Sequence, residues 1–306
     1  MNKLFDFVKG LFQKKNIEIP AKLYEQNTNG KFLFIRHGQT YFNKYSKERG
    51  SKKVKTDKNL LDSELSEEGI NEGKKFSEFY KQFKIEEIYV SPLYRALQSA
   101  YYLFKDHPEK NNIVIKVHPL LTEITNAVHD ISFDLINRNK KDFNFNSEIK
   151  FDWSLFDEIY KNEEEQNFYY FENIDRLDNN IIMQQYDIIS NSYGKENYKD
   201  NIINLIKLSL DKSMESPKHV FERFIKFKNF LRDKYKDKLN DTEKKVFVVT
   251  HSSFLKCGTS KNIFYYNKNN GMPSDGCFPK NFEVLSIFVW NMYNKHLIFF
   301  VESFLF

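Results

Sequence analysis

Apolar residues in this chain come in short runs that stop abruptly on polar or charged ones. Between the runs lie stretches whose apolar positions recur at spacings of three and four. The runs Phe32–Ile35, Ile88–Val90, Ile113–Val117 and Val246–Val249 predict buried strands. The first intervening stretch opens at Ser66, an N-cap type, with Glu67 and Glu68 in the first turn. Its apolar face is Ile70, Gly73, Phe76, Phe79 and Phe83, which predicts an amphipathic helix. Tyr94–Phe104, starting just after Pro92, and 217–238, starting on Pro217, predict two more. Residues 283–290 and 296–304 read as two strands joined by a short turn. Strand and helix alternate, so the predicted fold is a three-layer α/β/α sandwich with a mostly parallel sheet.

Three segments break this pattern. Residues 1–30 form an N-terminal extension in which Leu4, Phe5, Phe7, Val8, Leu11 and Phe12 alternate with lysines. The extension predicts an amphipathic helix packed on the domain, with weak contact to a membrane surface as the alternative. Residues 41–60 are polar and lysine-rich and read as a mobile loop. Residues 128–216 are rich in Asn, Asp and Glu, with scattered aromatic anchors. They lie between two stretches of core pattern and are expected to form a capping insertion within a domain spanning 31–306.

Composition narrows the class. Among 306 residues, 41% are hydrophobic and 29% charged, as in ordinary globular proteins. The formal charge of +5 is spread among lysines along the chain. No stripe of Arg and Lys or reader motif stands out, so nucleic acid is not an expected partner. The two cysteines, Cys257 and Cys277, argue against a disulfide framework and for a reduced, cytoplasmic location. No apolar run reaches the roughly 18–20 residues of a membrane span.

The chemistry sits where the strands stop. The first strand ends on Arg36-His37-Gly38, and the strand Val246–Val249 delivers His251. Arg95 lies just past the end of the second strand, and Glu123 follows the third. Open α/β sheets place ligands at these carboxyl ends. Phosphoryl transfer needs a nucleophile, cations around the non-bridging oxygens and an acid for the leaving group. A histidine held neutral can be that nucleophile, and an arginine fork suits phosphate oxygens. The other histidines show no paired ligand spacing, so no metal is assigned.

Five segments in order resemble the motifs of the histidine phosphatase superfamily, the phosphoglycerate mutase-like enzymes. They are RHGQTYFN (36–43), LSEEG (65–69), SPLYRALQSA (91–100), LLTE (120–123) and VTHSSFL (249–255). The resemblance implies His37 as phosphohistidine nucleophile, with Arg36, Arg95 and His251 completing the phosphate pocket. It implies Asn43 as a phosphoryl contact and Glu123 as proton donor and then base toward water. Asn281 is similar to an asparagine found near that site. In the segment 129–141, Asp130 matches an aspartate that follows the acid in phosphatase-like members. The matching arginine is not at the near position; Arg138, Lys140 and Lys141 come later, and a solvated basic loop is the plainer reading of them. Mutases of this superfamily carry an arginine close after the acid and an arginine pair in the insertion, and neither occurs here. The expected activity is therefore phosphomonoester hydrolysis without metal or other cofactor. The expected substrate is a small phosphorylated molecule, or else a phosphoprotein. A phosphoglycerate mutase and a non-catalytic binder of phosphorylated ligands are the alternatives.

Overall fold

The computed structural model describes residues 28, 30–132, 135–144, 148–209, 213–260, 277 and 279–287. The predicted N-terminal helix and the strand 296–304 lie outside the described residues.

The chain runs β1 (Phe32–Arg36), α1 (Tyr41–Arg49), α2 (Glu67–Tyr80), β2 (Lys84–Val90), α3 (Tyr94–Phe104) and β3 (Val114–Val117). It continues through β4 (Lys150–Asp152), α4 (Asn179–Ser192), α5 (Tyr198–Lys207) and α6 (Pro217–Lys234). The last labelled elements are β5 (Lys244–Thr250), α7 (Ser252–Gly258) and β6 (Val284–Ile287). One sheet has the order β4-β3-β2-β5-β1-β6. Its pairings are parallel except that of β6 with β1. The predicted mostly parallel α/β fold is therefore what forms.

Alternation along the strands feeds two cores. Leu33, Ile35, Ile88, Val90, Phe247 and Val249 pack with Tyr80 of α2 and Ala96, Leu97, Ala100, Leu103 and Phe104 of α3. Phe32, Phe34, Tyr89, Val246 and Val248 pack with Val220, Phe224, Phe227 and Leu231 of α6 and with Phe254 and Leu255 of α7. The spacing of the four α6 residues is that of one helix face. Helices therefore cover both faces of the sheet.

The register aligns the strand ends that carry the chemistry. Arg36 pairs with Thr250, and Val90 lies between Val249 and Val117. The residues that follow, His37, Ser91, His118 and His251, leave the sheet at one level.

Two segments differ from their sequence reading. Residues 41–60 are largely helical rather than a loop: α1, a turn of helix at Ser51–Val54 and a short 3₁₀ turn at Lys58–Leu60. A capping box starts α1: Thr40 Oγ1 accepts the Asn43 N–H at 3.0 Å, and Asn43 Oδ1 accepts the Thr40 N–H at 3.1 Å. Only Phe42 of α1 is buried, so the helix shows almost no apolar period. Residues 128–216 do more than cap. Their β4 extends the sheet beside β3. Their helices α4 and α5 join Phe42, Val54, Leu60, Leu61, Val128 and Ile131 in a third core over the strand-end loops.

One glycine explains the LSEEG segment. A Cβ on Gly69 would fall 2.1 Å from Gln39 O, so only glycine lets α2 meet the loop after β1. Ser66 ties the same contact: its N–H donates to Gln39 O at 2.9 Å, and its Oγ caps the Gly69 N–H at 3.1 Å. Gly38 has another reason. A Cβ there would meet the Phe282 ring at 2.5 Å, so the glycine admits a packed ring.

Candidate active site

β1 ends where the sheet ends, so His37 enters a loop already fixed at both sides. Its N–H donates to Thr250 O at 2.9 Å, and Gly38 N–H donates to Ser99 Oγ at 3.0 Å. The ring is 3% exposed. Nδ1 lies 2.7 Å from Gly38 O. A carbonyl only accepts, so Nδ1 carries the proton and Nε2 keeps its lone pair. Nε2 accepts from Arg95 Nε–H at 3.3 Å. Burial, then Arg95 and Arg36, hold the His37 pKa well below the ordinary histidine value. The neutral ring presents one basic nitrogen beside a guanidinium.

Arg95, in the first turn of α3, is wholly buried. Its Nη2 donates to Asp130 Oδ1 at 3.0 Å, and its Nη1 donates to His129 O. Asp130 Oδ2 accepts the Ala127 N–H at 3.0 Å and the Asn126 N–H at 3.3 Å. Burial nevertheless raises the Asp130 pKa to about 7, with Arg95 opposing and the Glu123 charge adding to the rise.

His251 follows β5 and is wholly buried. Its ring centroid is 5.1 Å from that of His37. Nε2 sits 2.7 Å from Ser91 Oγ, and Nδ1 has no hydrogen-bond partner among the described residues. Burial and then Arg95 hold its pKa well below the ordinary value. A buried polar nitrogen without a partner is costly unless a bound group meets it, and a phosphoryl oxygen would.

Arg36 is partly buried, and its Nη1 donates to Pro279 O at 2.9 Å. Burial lowers its pKa, with the Glu123 charge opposing. The Glu123 carboxyl group caps α7. Oε1 accepts N–H groups of Ile124 and Phe254, each at 2.9 Å, and Oε2 accepts that of Ser253 at 3.2 Å. Oε1 is thus saturated, and Oε2 keeps capacity for a proton.

The geometry joins His37, Arg95, His251 and Asp130 in contact, with Arg36 and Glu123 coupled to them by charge. Of the other predicted residues, Asn43 gives its Oδ1 to the α1 capping box, which leaves its amide N–H groups as donors. Arg138 lies over the Tyr94 ring at 3.8 Å and lines a cavity of about 470 Å³ with Tyr41, Tyr45 and Arg49. Asn281 lies in the turn before β6, next to Phe282, whose N–H donates to Arg36 O at 3.0 Å. Among the described residues its side chain makes no hydrogen bond to the cluster.

Sequence reasoning missed Ser91, Ser99 and His129. Ser91 had a signal, since it is the first residue past β2, but it reads there as a strand terminator. His129 stacks on Phe42 at 3.5 Å and lies 3.2 Å from Asp130. Only its position beside Asp130 could have marked it.

The family model for the histidine phosphatase superfamily (branch 1) matches residues 32–144. No curated protein matches the chain. Solved structures similar to it include mycobacterial hydrolase 1, at 16% identity and a TM-score of 0.43, over 84% of this chain and 91% of that one. Another is the phosphoserine phosphatase from Entamoeba histolytica, at 16% identity and a TM-score of 0.38, over 84% and 89%. A third is the phosphoglycerate mutase from Bacillus anthracis, at 16% identity and a TM-score of 0.36, over 76% and 80%. No described helix is long and apolar enough to cross a membrane.

Proposed function

We propose, from the premise that residues 32–144 are those of a histidine phosphatase superfamily member, that the protein hydrolyses phosphomonoesters through a phosphohistidine on His37. The observation that carries this reading is the His37 ring, neutral, with Nδ1–H fixed on Gly38 O and Nε2 left basic beside Arg95. In the first step the Arg95 Nε–H turns from Nε2 to a phosphoryl oxygen, the freed lone pair of Nε2 forms a bond to phosphorus, and the bond from phosphorus to the ester oxygen breaks. The leaving oxygen takes a proton from Glu123, through Oε2. In the second step water attacks phosphorus, its proton goes to the Glu123 carboxylate, and the bond to Nε2 breaks to release phosphate. Arg36, Arg95 and His251 Nδ1 serve the non-bridging oxygens, Arg95 by turning toward them donors it otherwise gives to His37 and Asp130.

The substrate class we propose is a small phosphorylated molecule in the cytoplasm. Hydrolysis is favoured over mutase chemistry because a mutase must hold its intermediate with further cations. Lys140, a stand-in for a missing arginine, is already held by Asp157 and by Gln166 at 3.3 Å. Product analysis with 3-phosphoglycerate and a trace of 2,3-bisphosphoglycerate tests this. Free phosphate is the expected product; rapid 2-phosphoglycerate with little phosphate would make the protein a mutase.

Three outcomes follow from the geometry. Glu123→Gln should slow alkyl phosphates by about 10²-fold and activated aryl phosphates far less, because only the poor leaving group needs the proton. Equal losses on both would move the acid role to Asp130. The second concerns pH. Above about 7 Asp130 is ionised and competes with substrate for Arg95; below it the fork is freed. Wild-type kcat/KM should fall as pH rises through that value, and Asp130→Asn should lack that limb. A limb unchanged in the variant would assign it to another group. Third, the guanidinium groups already supply positive charge, so turnover should persist in excess chelator. A loss restored by magnesium would contradict that.

A further inference from the structure

A second buried charge cluster lies behind Glu123. Arg223 of α6 is 4% exposed and Glu215 is wholly buried. The pair is bidentate: Nε to Oε1 at 2.8 Å and Nη2 to Oε2 at 3.0 Å. The guanidinium also donates to three main-chain carbonyls in one segment. Nη1 reaches Leu120 O at 2.8 Å and Thr122 O at 3.1 Å, and Nη2 reaches Glu123 O at 3.4 Å. Glu215 grips the other side. Its Oε2 accepts the Thr125 N–H at 3.1 Å, and its own N–H donates to Thr125 O at 3.3 Å. His219 Nδ1 meets Oε1 at 2.9 Å. The backbone on both sides of Glu123 is therefore bolted to one ion pair, while its carboxyl group is held by α7.

A buried ion pair is weak evidence for stability, because desolvation offsets the attraction. Stability alone does not explain why this fork is spread over three carbonyls of the loop that carries the acid. Arginine donors fix direction, which a lysine cannot reproduce. We infer that Arg223, oriented by Glu215, is a positioning residue that sets the reach of the Glu123 carboxyl group toward the leaving-group oxygen. The inference rests on the phosphatase reading and deepens it. Since Met214 and Glu215 also pair with Thr125, the end of the 128–216 segment is mechanically joined to the acid loop.

The test compares Arg223→Lys with wild type on an alkyl and an activated aryl phosphate. Wild-type turnover of the aryl ester comes first; its absence would defeat the phosphatase reading and not this one. For Arg223→Lys, kcat on the alkyl ester should fall about tenfold or more, with KM and aryl-ester turnover nearly unchanged. In the Glu123→Gln background the same change should add almost nothing, since both act through one proton transfer. Equal losses on both esters, no loss on either, or full additivity with Glu123→Gln would overturn the inference. Should the lysine variant not fold, the paired Arg223→Met, Glu215→Met protein removes both charges and carries the same comparison.

Discussion

Replacing His37 with alanine is expected to abolish phosphomonoester turnover, lowering kcat by about 10⁴-fold or more. The size follows from the role. Arg36, Arg95 and His251 would still bind phosphate, but no other basic nitrogen in the cluster is prepared as His37 Nε2 is. His251 Nδ1 has no partner among the described residues, yet its Nε2 faces Ser91, so its ring is oriented by a hydroxyl and not by a carbonyl. Binding and turnover should therefore separate in the variant. Phosphate or an analogue should still bind, as seen by calorimetry, while product release falls to background. Activity within roughly a hundredfold of wild type would remove His37 from the bond-forming step.

Arg95→Lys carries the second largest expected effect. The arginine touches three things at once: Nε2 of the nucleophile, the carbonyl of His129 and the carboxyl group of Asp130. Lysine keeps the charge but offers one point where the fork offers three. Loss of a donor aimed at developing charge lowers kcat by about 10²–10³-fold, and here the aim of the nucleophile is lost as well. We expect kcat/KM to fall by about 10³-fold with the fold intact by circular dichroism. The pH limb near 7 should move upward in the same variant, because the Arg95 donor that holds ionised Asp130 is lost although the charge is kept. A variant that keeps its activity would place the phosphoryl group away from this fork.

The strand-end residues were legible in the sequence because a buried strand is an apolar run, and its last residue is marked by the first charge. Arg36, His37 and His251 fall at such ends, Arg95 follows in the first turn of the helix after β2, and parallel pairing brings the ends to one level. Asp130 was legible only through the resemblance, since nothing in its neighbourhood has a period. The helix at 41–49 was not legible. Its start depends on a reciprocal bond between Thr40 and Asn43, and it buries one residue, so the pattern of apolar positions carries no trace. The structure gives Asn43 Oδ1 a capping partner and leaves its amide N–H donors for the phosphoryl contact that the resemblance implies. β4 was hidden by its length of three residues at the sheet edge. The clamp of Arg223 on the acid loop could not be seen either. It joins α6 to carbonyl oxygens, and main-chain acceptors leave no mark in a sequence.

Trapping the covalent intermediate tests the central claim most directly. The wild-type protein would be mixed briefly with an activated aryl phosphate, quenched without acid, digested and mapped by mass spectrometry. The account predicts one phosphoryl group on the peptide that contains His37, lost in His37→Ala and prolonged in Glu123→Gln, where water lacks its base. A phosphoryl group on serine, cysteine or another histidine, or turnover by wild type with no labelled peptide at all, would contradict it.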